Sequence, residues 1–171
     1  MKVAKNKKVI TYNQVLDLRE VAVSLKGDLP HLSLLLELVF LGMSKNSISN
    51  LTLDNIIDGK VHWQNRRNVK IVSTLSEGQL NILDEYLAWR KTRYVKHNKL
   101  LLVKQSSKVK DGYFLPIKAE RVRSDIRFLG RQIGIDYGLE IPAIHQAIAN
   151  EYVARHGKPT QAIIKYYKLY D

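Results

Sequence analysis

Residues 39–56 read Val-Phe-Leu-Gly-Met-Ser-Lys-Asn-Ser-Ile-Ser-Asn-Leu-Thr-Leu-Asp-Asn-Ile, and this stretch carries most of the fold information in the chain. An apolar run ends at Gly42 and a polar turn follows it, which is a common pattern at the end of a helix. Apolar side chains then return at intervals typical of a short amphipathic helix that leads into a strand, at Ile48, Leu51, Leu53 and Ile56. The stretch therefore predicts a helix, a tight turn, a short helix and a strand.

The chain before this stretch predicts two helices. Thr11 is a favourable N-cap with Gln14 three residues later, as in a capping box, so a first helix is expected to begin there. Residues 33–41 are nearly all apolar, which indicates a buried second helix. Residues 1–8 include Lys2, Lys5, Lys7 and Lys8 and are interpreted as a basic flexible arm. Residues 9–171 are expected to form a single domain.

The chain after this stretch predicts a β-hairpin and further helices. Residues 59–75 take the two-residue period of strands, on both sides of a polar, basic turn that reads Asn65-Arg66-Arg67-Asn68. The remaining predictions are a helix capped by Ser76, a buried strand over 100–103, a lysine-rich loop over 106–112, and helices from Ile117, over 143–155 and from Pro159. Together these elements predict a mixed α/β fold that is mainly α-helical, with a small antiparallel β-sheet.

The charge of the chain predicts a polyanionic partner. Lysine and arginine number 28 against 16 acidic residues, which gives a net charge of +12. The positive charge is concentrated between Arg90 and Arg131, where only Asp111, Glu120 and Asp125 oppose it. Such a field attracts nucleic acid, so we expect DNA to be the partner.

Other classes of function find little support in the composition. The absence of cysteine excludes disulfides and thiolate metal sites. The five histidines lack any metal-ligand spacing, so we expect no metal and no cofactor. No apolar run approaches the roughly 18–20 residues of a membrane span, and no secretory signal is present. An intracellular, DNA-associated location is therefore expected.

The stretch at 39–56 resembles the box "T-G-L-R-x-S-E-I-x-x-L-x-W-x-D-I" of the tyrosine recombinases, the phage integrase family. In that family the arginine of the box binds the scissile phosphate. Aligned without gaps, the arginine falls on Ser44 and the glutamate that follows it falls on Ser47. The resemblance therefore implies the recombinase catalytic-domain fold, with the first phosphate-binding charge missing.

Three later segments are also similar to this family. The hairpin turn is similar to "G-K-G-x-K-x-R-x-V-P-L-S", which puts the family's catalytic lysine on Arg66, and residues 120–135 resemble the helix before the second active-site segment. Residues 142–157 resemble "P-H-x-L-R-H-x-x-A-x-x-L-x-x-x-G", which puts the histidine on Ala143 and the second arginine on Gln146. Taking His145 as the histidine instead moves the arginine position to Ile148, so neither register restores an arginine.

The resemblance leaves two registers for the nucleophilic tyrosine. In the first, Gly157 closes its helix as in the family and the tyrosine lies beyond Asp171. In the second, residues 157–167 match "G-H-x-x-x-x-T-T-x-x-Y", so that Tyr167 is the nucleophile and Lys158 takes the third phosphate-binding position. Packing with a solvated hydroxyl is the alternative interpretation of Tyr166, Tyr167 and Tyr170.

These residues predict a DNA-binding protein of recombinase type that does not cleave strands, because both phosphate-binding arginines are replaced. The expected contacts to the duplex backbone are Arg66, Arg67, Lys70, Lys104, Lys108, Lys110, Arg121, Arg123 and Arg127. One alternative is a divergent active integrase that cuts with Tyr167 and recruits Lys45 or Lys158. Another is a protein-interaction module that forms homo-oligomers or joins an active recombinase through its C-terminal segment.

Overall fold

The computed structural model describes residues 9–93, 98–104 and 114–167. Its helices are α1 Tyr12–Ser24, α2 His31–Phe40, α3 Lys45–Asn50, α4 Glu77–Lys91, α5 Ala119–Gln132, α6 Ile141–His156 and α7 Gln161–Tyr167. Its strands are β1 Ile56–Ile57, β2 Lys60–Gln64, β3 Lys70–Thr74, β4 Leu102–Lys104 and β5 Phe114–Pro116. The predicted fold class is confirmed, since the chain is mainly helical with small antiparallel sheets. The predicted basic arm and lysine-rich loop lie outside the described residues.

Helix α2 lies at the centre of the core. All ten of its residues are buried, and it contacts α1, α3, α4, α5 and α6. Its buried carboxylate, Glu37, accepts hydrogen bonds from Arg19 at 2.8 Å and from Gln79 at 3.0 Å. At its first turn His31 Nε2 donates to Asp125 Oδ2 at 2.7 Å. Buried polar groups are stable only with such partners, so these bonds tie α2 to α1, α4 and α5.

The turn between α2 and α3 forms as the sequence predicts. Helix α2 ends before Gly42, whose φ of 97° belongs to the left-handed region that glycine adopts without strain. Ser44 is then the N-cap of α3, and its Oγ accepts from the backbone N–H of Ser47 at 3.3 Å. The buried Ile48 anchors α3 to the core. This turn places Ser44 and the residues after it near the C-terminal end of α2.

The predicted hairpin is confirmed as β2 and β3, which pair antiparallel with Trp63 opposite Ile71. Its turn is closed by Asn65, whose Oδ1 accepts from the backbone N–H groups of Arg67 and Val69. Asn68 has a φ of 58°, a conformation that asparagine tolerates better than most residues. Strand β1 adds a short third strand beside β2, so the sheet order is β1-β2-β3. Arg66 and Arg67 therefore occupy the exposed tip of a well-defined hairpin.

The later elements match the predictions with small shifts. The strand expected over 100–103 is β4, and its partner β5 was not predicted. The helix expected from Ile117 begins at Ala119, because Ile117 is buried and donates its backbone N–H to Leu101. Helix α6 begins two residues before the expected 143, with Pro142 in its first turn, where proline is tolerated. The helix expected from Pro159 is α7.

Candidate functional site

Segments far apart in sequence meet at one cleft of about 540 Å³. The turn before α3 contributes Ser44, the hairpin tip contributes Arg66, α6 contributes Gln146 and α7 contributes Tyr167. These are four of the positions that the family resemblance assigns to chemistry. The fifth, Ala143, is half-buried and packs against the hydrophobic core. Four of the positions that the resemblance assigns to one site therefore meet in the structure, although their side chains differ in charge from those of the family.

The two arginine positions of the cleft hold neutral side chains. Ser44 Oγ is occupied as the cap of α3 and lies 3.2 Å from Ser47 Oγ. Ser47 Oγ in turn donates to the carbonyl oxygen of Gln64 at 2.8 Å, which ties α3 to β2. Gln146 is exposed and donates through Nε2 to Asn150 at 2.8 Å. Neither Ser44 nor Gln146 can supply the bidentate cationic contact that an arginine gives to a phosphate.

Three other residues bring positive charge to the cleft, namely Lys45, Arg66 and Arg123. Lys45 Nζ lies 3.2 Å from Glu120 Oε1 in an exposed ion pair, which is a weak interaction in water. Arg66 is exposed at the hairpin tip. The cleft therefore has a cationic lining, although Ser44 and Gln146 themselves are neutral.

Glu140 precedes α6, lines the cleft and forms ion pairs with two arginines. Its Oε1 accepts from Arg123 Nη2 at 3.0 Å and from Arg127 Nη2 at 2.6 Å. Burial alone would raise the pKa of Glu140, but hydrogen bonds from Arg127 and Arg123 outweigh it and hold that pKa below its usual range. The hydrogen bond with Glu140 likewise raises the pKa of Arg123. Sequence reasoning missed Glu140, because its arginine partners lie on another helix.

The other residues predicted to contact the DNA backbone lie in different parts of the structure. Arg121 donates to Asp125 at 2.9 Å and so joins the buried pair between Asp125 and His31. Arg67 and Lys70 are exposed on the hairpin. Lys104 is exposed at the end of β4. Lys108 and Lys110 lie outside the described residues.

Tyr167 lies in the cleft, and its hydroxyl is engaged. Tyr167 Oη donates to the carbonyl oxygen of Phe40 at the end of α2. Its ring packs edge-on against His145, with 5.4 Å between centroids. His145 Nε2 donates to the carbonyl oxygen of Val39 at 2.8 Å, so this nitrogen carries the proton. The register that puts the nucleophile beyond Asp171 falls outside the described residues.

A second groove, of about 740 Å³, adjoins the cleft. It lies between α3 and the hairpin and shares Ser44 and Arg66 with the cleft. Its walls carry many carboxamide side chains, from Asn46, Asn50, Asn55, Gln64, Asn65 and Asn68. The two sites therefore form one continuous surface around the hairpin tip.

Solved structures show which fold this is. The recombinase XerA matches with a TM-score of 0.74 at 16% identity, over 96% of this chain and 57% of that one. The site-specific recombinase XerH, solved with its difH substrate in a pre-cleavage complex, matches with a TM-score of 0.69 at 13% identity, over 100% and 50%. The lambda integrase catalytic core matches with a TM-score of 0.58 at 14% identity, over 88% and 85%. The chain therefore has the fold of a tyrosine recombinase catalytic domain.

These similarities lie in the fold and are distant in sequence. The chain spans about half the length of the XerA and XerH chains. At identities of 13–16% the likeness concerns the fold. Comparison by sequence finds no matching family model and no similar curated protein.

The part of the chain that the structure describes contains neither of two further features. Among those residues, no helix is both long and apolar enough to cross a membrane. Within the same ranges, no three histidine, aspartate or glutamate side chains are grouped closely enough to hold a metal ion.

Proposed function

We propose that this domain binds duplex DNA through the cleft and does not cut it. The observation that carries the proposal is that Lys45, Arg66 and Arg123 line one cleft of a recombinase-type fold. The phosphates of DNA are the polyanion that such cations hold, and contacts to them fix a protein on the duplex without reading its sequence. XerH was solved with a DNA substrate, which supports a DNA ligand for this fold.

The replaced arginines support the absence of cutting. Attack on a phosphodiester builds up negative charge, and each preorganised donor that is lost typically costs about 10²–10³ in rate. Ser44 is already occupied as a helix cap, and Gln146 is neutral. Arg66 stands at the position of the family's lysine, but a guanidinium holds its proton too tightly to be a good proton donor. These losses act on the same step, so we expect no measurable cleavage.

The proposal is tested by titrating a labelled duplex in fluorescence anisotropy at two salt concentrations, with a denaturing gel of the same samples. We expect binding that weakens steeply between about 50 and 200 mM salt, as contacts to phosphates require, and no covalent adduct. Absence of binding at the lower salt concentration would overturn the proposal. Salt-insensitive binding would also contradict it, because the phosphates would then not be the ligand.

A divergent enzyme is the second candidate function, because Tyr167 lies in the cleft beside His145. In that case Tyr167 would attack the phosphate, and Lys45 or Lys158 would replace the missing arginines. A nicked suicide substrate traps such an intermediate. A covalent protein–DNA adduct that disappears in Tyr167→Phe would establish this function in place of the first. The bond from Tyr167 to Phe40 favours the first, because it occupies the hydroxyl proton away from any phosphate.

The location of the protein follows from the same proposal. A DNA-binding domain of this kind would be found with the chromosome or another intracellular DNA. Self-association, or association with an active recombinase through the C-terminal segment, is a separate proposal. Light scattering with and without DNA tests self-association, and a mixture with an active recombinase tests the other association.

A further inference from the structure

The groove between α3 and the hairpin is lined by side chains whose presence is not explained by binding to the phosphate backbone of DNA alone. Three buried apolar residues, Leu51, Trp63 and Ile71, are among those that line it. Its walls come from α3 and from the turn and strands of the hairpin. Its volume of about 740 Å³ lies within the range of roughly 300–1,000 Å³ that is usual for small-ligand sites. It is therefore a concave site of a size suited to a nucleotide.

The carboxamides of this groove divide into two sets. Asn55 and Asn65 have their Oδ1 atoms bonded to nearby backbone N–H groups, so these two shape the walls. The second set makes no side-chain hydrogen bond within the described ranges and is exposed to the groove: Asn46, Asn50, Gln64 and Asn68. A carboxamide offers a carbonyl acceptor and two N–H donors, which is the pattern needed to pair with the edge of a nucleobase.

The second set is positioned by regular structure. Asn46 and Asn50 are four residues apart on α3 and so lie on the same helical face. Gln64 lies directly opposite Lys70 in the β2–β3 pair. The bond from Ser47 Oγ to the Gln64 carbonyl fixes α3 against β2, so the two walls are held at a set distance. The carboxamides on the two walls can therefore contact one ligand between them.

The charges around the groove match a nucleotide phosphate. Arg66 and Lys70 are its cationic lining residues, and no aspartate or glutamate among the described residues lines it. Arg66 also lines the cleft, where a backbone phosphate would be held. A strand whose phosphate lies at Arg66 would therefore have its next nucleotide at the mouth of the groove.

The shape of the groove selects between paired and unpaired nucleotides. Base edges inside a duplex are reached by protein elements that protrude into the DNA grooves. A concave site instead accommodates a base that has left the stack, and unpaired bases cost the least to extrude. We propose that this groove binds an unpaired nucleotide, with Asn46, Asn50 and Gln64 hydrogen-bonded to the base and Arg66 and Lys70 at the phosphate. The inference rests on the proposed function, because it places that nucleotide on a strand held in the cleft.

Anisotropy titrations with two probes test this inference. One probe is a labelled duplex, and the other is the same duplex with three unpaired adenosines in its centre. The triple variant Asn46→Ala, Asn50→Ala, Gln64→Ala removes three exposed side chains, and its thermal melting curve confirms that it folds. Asn81→Ala is the matched control, because Asn81 is an exposed asparagine on α4, outside the groove and the cleft.

We expect the natural protein and Asn81→Ala to prefer the probe with unpaired adenosines by about tenfold, which corresponds to two or three hydrogen bonds. The triple variant is expected to bind both probes within about twofold of one another. Equal binding of the two probes by the natural protein, or a preference that survives in the triple variant, would overturn this inference and leave duplex binding intact. Failure to bind either probe would overturn the proposed function and this inference together.

Discussion

Glu140 accepts a 2.6 Å hydrogen bond from Arg127 at the edge of the cleft, through the oxygen that also accepts from Arg123 at 3.0 Å. Of these two arginines, Arg123 lines the cleft, and its Nη1 also lies 4.0 Å from Glu120 Oε2. Gly138 packs against Arg127, and a Cβ atom at that position would lie only 3.1 Å from Arg127 Nε. On the proposed function, Glu140 would compete with a DNA phosphate for Arg123, which lines the cleft.

Glu140→Gln is expected to strengthen DNA binding by roughly tenfold at low salt, because two arginines are released from a negative charge. The salt dependence is expected to become steeper as those arginines reach phosphates. Glu151→Gln is the control, since it removes the same charge from an ion pair with Arg155 on the far part of α6. Equal effects of the two variants would show that net charge alone is responsible.

The pKa of Glu140 also predicts how stability depends on pH. Because the folded-state pKa lies below the usual value, the ion pairs stabilise the fold above the unfolded-state pKa of roughly 4.3. That contribution is lost as the pH falls through the lowered folded-state pKa. Urea unfolding of the natural protein and Glu140→Gln over this range is expected to show the two stabilities converging as the pH falls.

The hairpin tip supplies the third prediction. Replacing Arg66 and Arg67 with alanine is expected to weaken binding to any duplex sequence and to lower the slope of log affinity against log salt by about 1–2, at about 0.9 per phosphate contact. The control is Lys26→Ala with Lys91→Ala, which removes two positive charges from residues that lie outside the cleft and the groove. An unchanged slope in the hairpin variant would exclude the tip from the interface.

Tyr86 supplies a prediction about stability at high pH. Its hydroxyl donates to the Leu100 carbonyl at 3.1 Å and accepts from the Leu102 N–H at 2.8 Å. Burial raises the pKa of Tyr86 to about 12, against the opposing effects of the Leu102 hydrogen bond and of Arg90. The unfolded chain therefore loses this proton first, near pH 10. The stabilising contribution of Tyr86 is expected to be complete below about pH 10 and to fall by about 2–3 kcal/mol as the pH rises to about 12.

Tyr86→Phe is expected to remove most of this dependence, since phenylalanine has no proton to lose. At neutral pH it is expected to lower the free energy of unfolding by about 1–3 kcal/mol, because two buried backbone groups lose their partner. Tyr152→Phe is the control, because Tyr152 is only half-buried and its ring stacks on His156 near the protein surface. Chemical denaturation between about pH 8 and 12 compares the three proteins.

The features that sequence reasoning predicted correctly depend on local rules. The cap at Thr11, the turn at Gly42 and the hairpin turn at Asn65 each follow from the residue that occupies the position and from its near neighbours. The buried helix α2 follows from the length of an apolar run. These local structures are predictable because each depends on only a few residues that are close together in the sequence.

The features that it missed arise between distant segments. Glu140 lies 17 residues from Arg123 and 13 from Arg127, and packing of α6 beside α5 makes them neighbours. Strand β5 has three residues and exists because β4 supplies its hydrogen bonds. The resemblance identified where Ser44, Arg66 and Gln146 would meet, but it gave no information on the carboxylate that competes for the remaining cations. Side-chain pairing of this kind depends on the packed structure.

The last prediction concerns the two arginine positions themselves. Ser44→Arg with Gln146→Arg puts two cations into the cleft, so DNA binding is expected to strengthen by about tenfold. The fold is expected to lose about 1 kcal/mol, because arginine cannot replace the serine cap of α3. Ser44→Ala with Gln146→Ala is the control, since it removes the cap without adding charge.

This double arginine variant is still expected to form no covalent adduct on a nicked substrate. Arg66 remains a poor proton donor at the leaving oxygen, and the Tyr167 hydroxyl remains bonded to the Phe40 carbonyl. An adduct that is lost on adding Tyr167→Phe would contradict this expectation. It would mean that the tyrosine can leave Phe40 to attack the phosphate, and that the two missing arginines alone separate this domain from a cleaving enzyme.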